Sequence, residues 1–153
     1  MSSRLFQEIR EKRGLVYGVT SFCSSLTDTG TFAIYAGTGE KQITELIPVL
    51  CDELKKSLIS ISEKEIMRGK AQLKASLMMG RESAFRRCES AARQLLIFNR
   101  VIEPSEIIEN INLVSNDTVI NIANEIIKKP ITIASIGPIK NLEYIDKIQR
   151  RLN

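Results

Sequence analysis

The sequence contains no histidine, and this absence excludes several kinds of chemistry. Without imidazole there is no zinc site built on histidine, no Ser–His or Cys–His nucleophile pair and no histidine acid–base catalyst. No serine is followed by a lysine three positions later, so a Ser-x-x-Lys dyad is missing as well. We therefore expect that the chain by itself neither binds zinc tightly nor completes a hydrolytic reaction.

Cysteine is scarce. Cys23, Cys51 and Cys88 stand far apart, and none belongs to a Cys-x-x-Cys pair. Buried free thiols in a reducing compartment are the simplest interpretation of this usage. A metal site of three thiolates would require all three sulfur atoms to converge in space, and such sites are uncommon. We expect a reducing compartment, such as a bacterial cytoplasm or a mitochondrial matrix, and assign the location no further.

The sequence also lacks a long apolar run and a nucleic-acid signature. No stretch approaches the length of a membrane span, and the N-terminus has no apolar core of a signal peptide. The net charge is +4, but the basic residues form scattered pairs with acids between them. The glycines in Gly37–Lys41 do not have the spacing of a phosphate loop or a dinucleotide motif. We expect one domain over residues 1–153, with no nucleic-acid partner and no membrane span.

The first seventeen residues predict a helix, a tight turn and the start of a strand. Ser2 or Ser3 is the candidate N-cap, and Gly14 stands where a helix C-cap belongs. From Val16 onward the apolar period changes from helical spacing to two. The buried helical stripe is predicted to contain Leu5, Phe6 and Ile9.

The rest of the chain predicts an α+β fold, a two-layer sandwich in which a largely antiparallel sheet packs against helices. A β-hairpin is predicted over residues 16–38, a mainly helical layer over 41–128 and a last strand over 131–136. Ser62–Glu65 has the pattern of a capping box. An apolar stripe within 85–99 has two interpretations, a seam for a partner or a face packed on the domain's own sheet, and we favour the second.

The motifs of this chain resemble those of a known family. The segment from Ser2 to Tyr17 reads Ser-Ser-Arg-Leu-Phe and then Arg-Glu-Lys-Arg-Gly-Leu-x-Tyr. Further matching pieces are Asp28–Gly30, Tyr35–Thr38, Gln94–Leu96 and Ile133–Pro138. Together they resemble the second, non-metal-binding half of pitrilysin/insulinase-type zinc metallopeptidases, closest to the bacterial processing peptidases that are similar to the mitochondrial processing peptidase β-subunit.

The resemblance implies that two halves of the enzyme contribute different residues to one active site. The first half carries a His-x-x-Glu-His helix that holds zinc, and the second supplies an Arg and a Tyr, which by position are Arg10 and Tyr17. A guanidinium can hold a substrate carbonyl or carboxylate, and a phenol can donate to the oxyanion. Without the resemblance, we would interpret Arg10 as part of a solvated helix face and Tyr17 as stacked in the strand.

The function implied is therefore the C-terminal half of a zinc-dependent metalloendopeptidase, with no cofactor on this chain and zinc on the missing N-terminal half. Its expected partners are the His-x-x-Glu-His half, or a partner subunit that carries this motif, and a peptide substrate. The alternative function is a non-catalytic interaction or scaffold subunit of the same family that binds or presents peptides.

The chain departs from the family pattern at its start. Second halves in the family begin with a strand and a helix before the Ser-Ser-Arg-Leu-Phe segment, and this sequence starts after both. A truncated domain without its first strand has an open sheet edge, and an open edge favours pairing with another chain. A homodimer formed through this edge is therefore a further expectation.

Overall fold

The computed structural model describes residues 3–153, so the predicted N-cap Ser2 lies outside the described residues. The described residues contain a two-stranded antiparallel sheet and helices, which confirms the α+β class. They form two compact units. Unit 1 contains the described residues up to Ser60 together with Ile120–Asn153, and unit 2 is Ile61–Val119. No helix in the described range has both the length and the apolar character of a membrane span.

Unit 1 begins with a short helix, in which Phe6–Glu11 is a π-helix. The Lys12 N–H donates to the Gln7 carbonyl at 3.0 Å, the five-residue spacing of a π-turn. Ser3 Oγ accepts the Phe6 N–H at 3.4 Å, as predicted for an N-cap. The helix is followed by Gly14 at φ +61°, a left-handed conformation that glycine adopts without a steric penalty. The predicted helix and turn are therefore present.

The hairpin consists of β1, Gly18–Ser25, and β2, Gly30–Gly37. The strands are antiparallel, with Gly18 opposite Gly37 and Ser25 opposite Gly30. The Leu26 N–H closes the turn by donating to the Thr29 carbonyl at 2.8 Å. Within the described part of the chain neither strand has a second neighbour, and the homodimer through an open edge stays a prediction.

The last strand predicted over residues 131–136 does not form, because these residues have no regular secondary structure. The β-branched residues satisfy the local preference for a strand, but a strand also needs a partner for its backbone groups. The Ile131 N–H instead donates to the side-chain oxygen of Gln149 at 2.9 Å. Ile131 and Ile133 still pack against a buried cluster of unit 1. The predicted strand is therefore wrong, although two of its residues are partly buried.

The remaining helices of unit 1 are α1 (Ile43–Ile59) and α6 (Ile145–Leu152). Unit 2 contains α2 (Glu63–Gly80), α3 (Ala84–Phe98) and α4 (Pro104–Leu113). The boundary between the units falls within α5 (Asn116–Ile127).

The sequence makes two predictions for unit 2, a capping box and a packed apolar stripe, and only the first is confirmed. The capping box at Ser62 and Glu65 is complete, since each side chain accepts the other residue's backbone N–H. The stripe on α3 does not pack as expected, because α3 contains no buried residue and both Phe85 and Leu95 are exposed. The pattern predicted the helix correctly but not its burial.

Two buried clusters lie in unit 1. The N-terminal cluster consists of Ile9, Leu15, Val16 and Leu46, and the C-terminal cluster of Cys51, Ile127, Ile148 and Leu152. All three cysteines are free, but only Cys51 is buried, where desolvation raises the pKa of its thiol. Cys23 and Cys88 are exposed, which corrects the prediction of three buried thiols. Cys23 lies in the exposed part of β1, and α3 contains no buried residue.

An ion-pair network lies beside the C-terminal cluster. Both oxygens of Glu143 accept from the Arg151 guanidinium, at 2.8 and 2.9 Å, and Lys147 Nζ lies 2.8 Å from one of them. The Glu143 side chain is only 11% exposed. These hydrogen bonds, first to Arg151 and then to Lys147, lower the pKa of Glu143 from the ordinary 4.5 to about 2. The network joins the segment before α6 to the helix itself.

We expect Glu143→Gln to lower the free energy of unfolding at pH 7 by about 1–2 kcal/mol, less than the full pKa shift implies because Lys147 is exposed and screened. Since folding lowers this pKa, the wild-type advantage is complete above pH 4.5 and is lost as the pH falls towards about 2. Urea titrations across this pH range measure it. The control is Glu125→Gln, an exposed carboxylate with no ion pair among the described residues. Parallel pH profiles for wild type and Glu143→Gln would contradict the prediction.

Candidate functional site

Arg10, the first predicted site residue, lies near the end of the π-helix directly after Ile9, which is fully buried. Its side chain is 40% exposed. The guanidinium carbon lies 4.8 Å from the centroid of the Phe6 ring, a cation–π contact. A cation–π contact does not use the N–H groups of the guanidinium, so these donors stay available to a ligand.

The other basic residues of this helix are already paired. Lys12 Nζ lies 2.5 Å from one carboxylate oxygen of Glu8, and Arg13 contacts the other oxygen at 3.1 Å. These two hydrogen bonds lower the pKa of Glu8. Arg10 reaches the Glu11 carboxylate only at 3.9 Å, the outer limit of an ion pair. Both carboxylate oxygens of Glu8 are thus occupied by Lys12 and Arg13. Arg10 has only the distant Glu11 as a counter-charge.

Tyr17, the second predicted site residue, lies just before β1 and is held there by its backbone. Leu15 and Val16, which precede it, are both buried in the N-terminal cluster. The Tyr17 N–H donates to the Gly37 carbonyl at 2.8 Å, which extends the hairpin by one bond. The side chain is 84% exposed, so the interpretation of a tyrosine stacked in the strand is not supported. The phenol faces solvent from a fixed backbone.

Thr38 is part of this arrangement, although the sequence did not indicate it as a site residue. Its hydroxyl donates to the Leu15 carbonyl at 2.6 Å, across 23 residues of sequence. With the bond from Tyr17 to Gly37, the end of β2 therefore holds the segment before Tyr17 at two points. The only sequence signal was the match of Tyr35–Thr38 to a family motif, which did not reveal the contact.

Arg10 and Tyr17 are therefore anchored on the same buried cluster and project outward from either side of one turn. A stacked guanidinium and an exposed phenol are both hydrogen-bond donors. Neither is a metal ligand of the usual kind. Each side chain can donate a hydrogen bond to an oxygen-rich ligand such as a peptide carbonyl, but neither can activate a water molecule alone.

The residues of this chain do not fit a zinc site. Zinc in proteins is bound by Cys, His, Asp or Glu, usually three or four of them together. No group of three or more such residues with suitable placement exists among residues 3–153, and the sequence has no histidine. A reaction that needs zinc therefore requires ligands from elsewhere.

Comparisons with known proteins agree with the sequence motifs. Residues 1–73 match the model of the Peptidase M16 inactive domain. An uncharacterized zinc protease of Rickettsia felis is 41% identical over 138 residues, which are 90% of this chain and 34% of that protein. The mitochondrial-processing peptidase subunit beta of Mus musculus is 30% identical over 150 residues, 97% of this chain and 30% of that protein. The chain thus spans about a third of the curated relatives it matches.

The fold has a counterpart of known structure. A chain in complex III of Candida albicans, in the structure with Inz-5 bound, superposes with a TM-score of 0.86 at 21% identity. The match covers 99% of this chain and 38% of that chain. At this level of identity the likeness concerns the fold alone.

Proposed function

Because the chain belongs to the M16 peptidase family, we propose that it is the C-terminal half of a zinc-dependent metalloendopeptidase. In this proposal it contributes substrate-binding and transition-state residues to an active site whose zinc motif lies on another half. The observation that carries the proposal is the placement of Arg10 and Tyr17, two exposed donors that a buried cluster and two hydrogen bonds to the end of β2 hold in place. Exposed side chains on so firmly anchored a backbone are typical of a preorganised site.

Arg10 has the role of a substrate-positioning residue. Its guanidinium offers paired N–H donors, and its contact with the Phe6 ring at 4.8 Å limits the positions that the side chain adopts. A peptide carbonyl or carboxylate bound in this way loses rotational freedom before the reaction begins, which lowers the entropic part of the barrier.

Tyr17 has the role of an oxyanion donor. When water adds to a peptide carbonyl, negative charge develops on the oxygen, and a phenol O–H that already points there stabilises this charge more than the neutral carbonyl. The hydrogen bond from the Tyr17 N–H to Gly37 fixes the backbone from which the phenol reaches out. The other half would hold the zinc, which would supply the Lewis acid and the activated water.

The proposal names a partner of defined chemistry. It is a half-domain or subunit with a His-x-x-Glu-His motif, two of whose imidazoles bind the metal while its carboxylate acts as the base. Relatives named zinc protease and processing peptidase subunit support this expectation. The chain alone is expected to have no peptidase activity, because residues 3–153 offer no zinc site.

The experiment is to mix the purified chain with a separately expressed M16 half that carries the zinc motif, and to follow hydrolysis of a quenched fluorescent peptide. We expect cleavage only in the mixture. Tyr17→Phe removes one donor and should lower kcat by about tenfold or more, with a smaller effect on KM. The matched control is Tyr144→Phe, since Tyr144 is 88% exposed and also precedes an element of unit 1. It should leave both constants unchanged.

Two results would reject the proposal. One is a mixture that stays inactive although the two halves bind each other, and the other is an active mixture in which Tyr17→Phe equals Tyr144→Phe. Either result favours the alternative of a non-catalytic subunit that binds or presents peptides. Hydrolysis by the pure chain would contradict the assignment of zinc to the other half.

A further inference from the structure

Unit 2 contains a cleft of about 400 Å³ that no part of the proposed peptidase function uses. Its walls come from the end of α2, from α3 and from the segment that leads into α4. The volume lies in the range of ligand-binding pockets, roughly 300–1,000 Å³. The Gln94 side chain accepts the Ile102 N–H at 2.8 Å, which fixes the segment after α3 to the helix. One wall of the cleft is therefore held in place by a hydrogen bond to α3.

Three arginines, Arg81, Arg86 and Arg87, line this cleft. Within residues 3–153 none of their guanidinium groups has an ion pair or a hydrogen bond. Nearby arginines differ in this respect. Arg93 pairs with Glu89 at 3.8 Å, and Arg100 makes two hydrogen bonds to Glu106 at 2.5 and 2.8 Å. The arginines without an ion pair in α3, and in the loop that precedes it, thus all line the cleft.

The lining contains no Asp or Glu that could neutralise these charges, and no aromatic residue. It does contain apolar side chains, among them Leu77, Ile102 and Ile107, which are half-buried. Apolar lining with a few charged groups is the usual composition of a site that binds an organic ligand rather than a bare ion. Without aromatic side chains the cleft offers no surface on which nucleic-acid bases can stack.

From this combination we propose that the cleft binds an acidic–apolar peptide segment, in which a Glu or Asp carboxylate lies next to an aliphatic side chain. The carboxylate accepts hydrogen bonds from the arginines, whose planar guanidinium groups match the two carboxylate oxygens. The aliphatic side chain is buried against Leu77, Ile102 and Ile107. This site contains neither Arg10 nor Tyr17, and its test does not depend on the partner half or on zinc.

The test measures binding of a fluorescein-labelled peptide of alternating Glu and Leu to the full chain by fluorescence anisotropy. Arg81→Gln combined with Arg87→Gln should weaken binding by about tenfold or more. Glutamine has nearly the same helix propensity as arginine, so the fold is retained, which circular dichroism verifies. The matched control combines Arg68→Gln with Arg150→Gln, two exposed arginines outside the cleft that also have no ion pair in the described structure. It removes the same charge and should change binding less than about twofold.

Four further probes test the chemistry of the ligand: two altered peptides, inorganic phosphate and a single-stranded oligonucleotide. A peptide with Gln in place of Glu, and one with Ser in place of Leu, should each bind at least about fivefold more weakly, because each lacks one of the two contacts. Inorganic phosphate should compete only weakly. Equal competition by phosphate, tighter binding of a single-stranded oligonucleotide, equal loss in the control variant or no binding of the acidic peptide would each overturn the proposal.

Discussion

Arg10→Ala should lower kcat/KM of the reconstituted peptidase by about 10- to 100-fold, the value of a lost hydrogen bond to a charged group. The side chain is stacked on Phe6 and only weakly paired, so its removal deprives the substrate of a donor without breaking a strong ion pair of the fold. Arg10→Lys keeps the charge but lacks the planar pair of donors, and should recover only part of the rate. Steady-state kinetics of the mixed halves measure both effects.

The matched control for this substitution is Arg150→Ala. Arg150 is exposed, belongs to α6 of the same unit and has no ion pair in the described residues, so its loss changes the net charge equally. If the two alanine variants have the same kcat/KM, Arg10 contributes only charge and not a specific contact. The proposed role would then be wrong, although the family membership would stand.

Ile9→Ala should lower the free energy of unfolding by about 2–5 kcal/mol, the usual cost of truncating a fully buried isoleucine to alanine. Ile9 is the most buried member of the N-terminal cluster, where it packs with Leu15, Val16 and Leu46. The same cluster holds the backbone on which Arg10 and Tyr17 stand. Urea denaturation gives the change in midpoint and slope.

Ile59→Ala is the control for this prediction, because Ile59 is the last residue of α1 and is exposed. Its truncation should change stability by less than about 0.5 kcal/mol. A similar small change for Ile9→Ala would mean that the cluster does not stabilise the fold. We also expect Ile9→Ala to reduce activity in the reconstituted enzyme below the melting transition, since both site residues lose their common support.

Local features of the fold could be predicted from the sequence, because the residues that interact in them lie only a few positions apart in the chain. The capping box of α2 needs only Ser62 and Glu65, and both bonds form as predicted. The left-handed conformation at Gly14 depends on the backbone freedom of a single residue, and the hairpin turn is closed between Leu26 and Thr29, three residues apart. The motif match identified Arg10 and Tyr17 by position in the same way.

Features that depend on contacts between residues far apart in the chain could not be predicted from the sequence. The β-branched run at 131–136 has a strand preference, but its first N–H is taken by the Gln149 side chain, 18 residues away. The stripe of α3 has a helical period, but a period does not show whether another surface covers it. The bond from Thr38 to Leu15 is likewise invisible in a linear pattern.

The sequence alone thus determined the family, the α+β class, most helices and the two candidate residues, because local backbone preferences and motifs reside in neighbouring positions. The tertiary structure decided which side chains are buried, which strands pair and which charges stay uncompensated. Arg10 stacked on Phe6, Tyr17 tethered through Gly37 and the unpaired arginines of unit 2 all belong to this second group. The physical reason is that burial, strand pairing and charge compensation depend on which residues are neighbours in space. Those neighbours are known only once the complete chain has folded.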